Sequence, residues 1–128
     1  MKGTFRLAAA SLVFAAAAPL VAHHSWTADY DGSKPVTVKG VVSKVEWTNP
    51  HTHFYVDVKD ANGTVKTWNF EMASTLALER GGWTRKTLSV GTGVTIVGFG
   101  GRAVTERAIA SSITTADGKS LFVGKPGQ

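Results

Sequence analysis

From Val36 the segment KPVTVKGVVSKVEW alternates apolar and polar residues, with β-branched side chains at most of the apolar positions. A period of two with that composition predicts a long first strand. Gly40 interrupts it, and a glycine inside a strand marks a bend or a bulge. TNP then forms a turn, HTHFYVDVKD a second strand ended by ANG, and TVKTWNFEM a third. STLALERGG breaks the alternation and predicts one short helix, with Ser74 or Thr75 capping its start and Gly81 ending it. LSVGTGVTIVGFG supplies a fourth strand after a glycine turn, ERAIASSITTADG a fifth, and KSLFVG a short edge piece.

Three strands, a helix and two strands, with an overlong and bent first strand, is the order of an OB-like fold. That fold is a five-stranded Greek-key barrel whose first strand curves to serve both halves. The short helix between strands three and four is expected to plug one end with Leu76 and Leu78. An immunoglobulin-like sandwich needs about seven strands and no such helix. Register follows from the hairpin. Phe54, Val56 and Val58 on the second strand and Trp68 and Phe70 on the third share the core face if ANG forms a three-residue turn with Gly63 left-handed. Tyr55 then faces Asn69 and His53 faces Glu71, which puts His51, His53 and Glu71 on the face opposite the core, with Met72 on the other side.

The first 22 residues read as a signal peptide. Lys2 and Arg6 precede LAAASLVFAAAAPL, an apolar run too short to span a bilayer, and Pro19 comes before the small-residue site LVA. A cut after Ala22 starts the mature chain at His23; a cut after Ala17 or Ala18 is the rival. The remainder is one domain over residues 23–124 with a flexible tail at 125–128. No cysteine is present, so no disulfide framework or lipid attachment exists, and the fold rests on its core alone in a periplasmic or secreted setting. Losing Lys2 and Arg6 lowers the formal charge from +5 to +3, and the remaining lysines are scattered singly. Neither a nucleic-acid partner nor a membrane span is expected on that basis.

The four histidines fall in two tight pairs, His23–His24 and His51–His53. Two residues apart on a strand, His51 and His53 project to one side. An N-terminal His23 adds an amino and a ring nitrogen, and His24 another. Such a nitrogen-rich set suits Cu(II), with Ni(II) or Zn(II) as alternatives, for storage, delivery or tolerance. Glu71, across from His53, is a ligand or orients an imidazole. The plainer reading makes His23 and His24 part of a flexible start and His51 a turn residue after Asn49-Pro50. Asp29-Tyr30-Asp31-Gly32 resembles the start of a calcium loop but lacks its later ligands.

AHHSW followed by YD, the segment VKGVVSKVEWTNPHTHFYVDV, and the later tryptophan and glycine positions resemble a family of small exported bacterial β-rich proteins with a His-His-Ser mature start and a Trp-x-Asn-Pro-His segment. The matching residues are His23, His24, Trp47, Asn49, Pro50 and His51. The resemblance implies a recurring histidine signature and no assigned activity. Two further functions stand beside the metal reading. One is a metal-free module holding a peptide, glycan or periplasmic protein through Trp26, Trp47 or Tyr55. The other is a copper oxidative enzyme of histidine-brace type. No hydrolase constellation is present.

Overall fold

A computed structural model describes residues 25–124, and the side chain of Val123 is not among the described parts. His23, His24 and the expected cleavage point lie outside the described residues. A 3₁₀ turn, Trp26–Ala28, leads into β1 (Tyr30–Glu46), followed by β2 (His53–Lys59), β3 (Val65–Glu71), α1 (Thr75–Arg80), β4 (Gly93–Gly101), β5 (Arg107–Thr115) and β6 (Ser120–Val123). The strands lie in the order β3-β2-β1-β4-β5-β6, and β3 also pairs with β5, which joins the first five into a ring. There are thus six strands, the sixth being the edge piece. The β3–β5 pairing is parallel and covers Asn69 to Glu71 against Arg107 to Ile109; the other pairings are antiparallel.

β1 starts six residues earlier than the alternation indicated, because Tyr30 still pairs with Gly101 across an irregular stretch that ends at Pro35. Its first part, to Val41, pairs with β4, and from Val41 onward it pairs with β2. The handover falls beside Gly40, where a Cβ would sit 2.3 Å from the carbonyl oxygen of Asp57. Close approach of β2, more than any special backbone angle, is why glycine stands there. One residue further on, the β1–β2 register shifts between Val42 and Lys44, leaving Ser43 as the bulged residue that bends the strand.

The β2–β3 hairpin has the expected register, with His53 opposite Glu71 and Tyr55 opposite Asn69, and Gly63 at φ +82° in the turn. Phe54, Val56 and Phe70 are fully buried, and the Phe54 and Phe70 rings stack at 5.4 Å. Val58 and Trp68 pack partly buried against this core. α1 begins as the sequence indicated: the Ser74 hydroxyl accepts from the Ala77 amide at 3.2 Å and Gly81 ends the helix. Leu78 is buried, but Leu76 is exposed. Two residues along a helix are about 200° apart around its axis, so a single-faced helix buries one of the two. Trp83, just past the helix, takes the second plugging place, with its amide bonded to the Leu78 carbonyl.

One buried polar atom stands without a partner among the described residues. Thr52, between the two histidines of the NPHTH turn, points inward, and its hydroxyl has no hydrogen bond. Around it lie Val45, Trp47, Phe54, Met72, Trp83 and Leu88, which line a cavity of about 10 Å³. An unsatisfied hydroxyl in apolar surroundings costs about 1–3 kcal/mol. Thr52→Val keeps the shape and removes the cost, so it should raise the urea midpoint by about 1 kcal/mol equivalent. A lowered midpoint would mean that the hydroxyl has a partner.

Candidate functional site

The polar side of the ring is assembled where four chain segments meet: the start of β1, the turn before β2, the end of β3 and the start of β5. The parallel β3–β5 register sets Arg107 beside Asn69 and brings it within reach of Glu71, 36 residues away in sequence. Glu71 is the one buried carboxylate among the described residues, 8% exposed. Both of its oxygens are engaged. Oε2 accepts from the Tyr30 hydroxyl and from Arg107 Nη2 at 3.0 Å, while Oε1 lies 2.9 Å from His51 Nδ1. Arg107 Nε in turn donates to the Tyr30 hydroxyl oxygen at 2.9 Å. Burial first, and then the bond to Glu71, hold the Tyr30 hydroxyl far above the ordinary tyrosine range, so it remains a donor.

His51 does not lie on a strand. It follows the cis Asn49–Pro50 peptide in the turn that precedes β2. The turn is tied down from outside: Asn49 Oδ1 accepts from the Thr75 amide at 3.1 Å and the Thr75 hydroxyl at 3.0 Å. Asn49 therefore fastens the histidine-bearing turn to the start of α1. Even so, His51 faces the same side as His53. Its Nδ1 lies 3.2 Å from the Met72 carbonyl oxygen as well as near Glu71. His53 Nδ1 lies 3.0 Å from Asn69 Oδ1.

A carbonyl oxygen and a carboxylate can only accept, so the proton of neutral His51 sits on Nδ1. With Asn69 presenting its oxygen, the same holds for His53. Each ring is left with a bare lone pair on Nε2. Both histidines, with Asp29, Glu71, Arg107 and the 48–50 turn, line an open cleft of about 360 Å³. Among the described residues no group of three His, Cys, Asp or Glu side chains is arranged to hold a metal ion. Those residues thus present two imidazole nitrogens to one cleft, with Glu71 already taken by its donors.

The chain belongs to DUF6152, a family of unknown function, whose match covers residues 10–109. No curated protein matches it. A solved structure that does is the mitochondrial single-stranded DNA binding protein Rim1 of S. cerevisiae, with a TM-score of 0.51 at 8% identity, covering 69% of this chain and 95% of that one. The likeness is one of fold, and it agrees with the OB-like strand order.

The aromatic residues of this DUF6152 chain that were candidates for partner binding are each packed. Trp26 lies against Phe99 with ring centroids 5.4 Å apart. Trp47 is half-buried against the core, beside the Thr52 cavity. Tyr55 donates to Glu46 at 3.2 Å, with the Lys44 ammonium 5.0 Å from its ring centre. Asp31 of the calcium-like stretch bonds Ser33 and pairs with Arg102, while Tyr30 turns inward. No helix among the described residues is long and apolar enough to cross a membrane. Sequence reasoning found His51, His53 and Glu71 but missed Tyr30, Asn69 and Arg107. The hairpin register put Asn69 on the same face as His53, and the YD pair held Tyr30, but nothing local pointed to Arg107.

Proposed function

We propose that this chain is an exported, periplasmic metal-binding protein of OB-like Greek-key barrel form. It holds one Cu(II), or a similar ion such as Ni(II) or Zn(II), through His51 and His53 together with His23 and His24. One observation carries the reading. Two histidines in a single cleft each spend Nδ1 on a fixed oxygen acceptor and keep Nε2 free, as metal-ligating imidazoles do. A catalytic pair poised for proton transfer needs no such matched tautomers. The remaining ligands come from the start of the mature chain. His24 directly precedes Ser25, and the 3₁₀ turn Trp26–Ala28 that follows ends at Asp29, which lines the cleft.

The test uses protein recovered after export, with intact mass establishing a start at His23. Calorimetry should give one Cu(II) per chain, with affinity lost in acid, because protonated imidazoles do not ligate. Replacing both His51 and His53 with alanine should weaken binding at least a hundredfold while leaving the circular dichroism spectrum unchanged. Failure of both copper and zinc to bind at micromolar concentration would end the metal reading. A metal-free binding module would take its place.

A further inference from the structure

Resting on that reading, we propose that Glu71 is a positioning residue that fixes His51 as an Nε2 metal ligand, itself aimed by the paired donors Tyr30 and Arg107. The logic lies in which oxygen faces which donor. Oε2 is claimed by two groups that can only donate in this geometry, the Tyr30 hydroxyl, whose own oxygen accepts from Arg107 Nε, and Arg107 Nη2. Oε1 is therefore the atom left for His51, and a carboxylate oxygen 2.9 Å from Nδ1, beside the Met72 carbonyl oxygen at 3.2 Å, favours Nδ1–H. The arrangement is a chain: a cation and a phenol orient a buried carboxylate, and the carboxylate orients an imidazole. His51 itself is 43% exposed on its side chain, so without Glu71 its ring keeps the Met72 carbonyl as its remaining anchor. Nothing comparable acts on His53, which relies on the neutral Asn69.

Glu71→Gln probes this directly. The glutamine must offer its carbonyl oxygen to Tyr30 and Arg107, because an amide nitrogen there would meet two donors. Its NH₂ group then faces His51 Nδ1 in competition with the Met72 carbonyl oxygen and draws the ring toward the opposite tautomer, with the proton on Nε2. Tyr30→Phe is the contrasting variant: Arg107 still claims Oε2 and the carboxylate still faces His51. Nitrogen NMR of the metal-free, ¹⁵N-labelled protein reports the tautomer of each ring without any metal. The expected result is Nδ1–H at His51 in the wild type and in Tyr30→Phe, and a shift toward Nε2–H in Glu71→Gln with His53 unchanged. Copper affinity should then fall about 10- to 100-fold in Glu71→Gln and much less in Tyr30→Phe. An Nε2–H signal at His51 in the wild type overturns the inference, even if Glu71→Gln fails to fold. So does copper binding equal in Glu71→Gln and the wild type. Absence of copper binding in the wild type, with the tautomers as stated, instead sinks the metal function and leaves the positioning geometry standing.

Discussion

Arg107→Ala should destabilise the fold by about 3 kcal/mol, read as a shift of the urea midpoint at neutral pH without a change in slope. The variant leaves the Glu71 carboxylate in place at 8% exposure but strips away its one arginine partner. Removing one member of a buried ion pair costs about 3–5 kcal/mol, because the remaining charge keeps its desolvation penalty. The lower end applies here for two reasons. The Arg107 side chain is 35% exposed, so the pair is partly hydrated, and His51 stays 2.9 Å from Oε1 to share the charge. Replacing Arg107 and Glu71 together, with leucine and glutamine, should cost less than Arg107→Ala alone, since no buried charge is then left over. A cost under about 1 kcal/mol for Arg107→Ala would show that water reaches Glu71 and that the network is a surface feature.

That network marks the boundary of what could be read from the chain. The β2–β3 hairpin was legible down to the residue. Strict alternation fixes which side chains share a face, and ANG fixes the loop, so His53 opposite Glu71 follows from local pattern alone. The helix was legible from Ser74 and Gly81, yet the choice between Leu76 and Leu78 depended on where a six-residue helix lands on the sheet. The burial of Glu71 could not be read locally. It follows from the parallel pairing of β3 with β5, a contact between segments 36 or more residues apart that no periodicity encodes. Tyr30 was hidden for a related reason. YDGSK has the composition of a turn, and only the β4 end opposite it draws the segment into β1. Asn49 had the right chemistry and the wrong partner: an asparagine before proline suggests a bond within its turn, whereas the fold offers it the start of α1.

Gly40→Ala should cost about 3 kcal/mol, the upper end of what overpacking a well-ordered interior exacts. The added Cβ would stand 2.3 Å from the Asp57 carbonyl oxygen and 2.8 Å from a Val56 methyl. A methyl can turn away, but a backbone oxygen can move only if β2 moves with it. β2 is held on its far side by seven paired residues of β3, and it carries His53 at its start. The strain should therefore appear at the candidate site as well as in the melting curve, as shifted amide resonances along His53–Lys59. Gly100→Ala is the control. A Cβ there meets Val36 and Lys34 at 3.6–3.7 Å, ordinary contact distances, so the change should be neutral within about 1 kcal/mol. If the two substitutions cost the same, the glycine at position 40 is not set by the close approach of β2, and the bend in β1 must come from the bulge at Ser43 alone. If they separate as expected, one missing side chain is what lets a single strand pass from β4 to β2 and so complete the ring on which the histidine cleft is built.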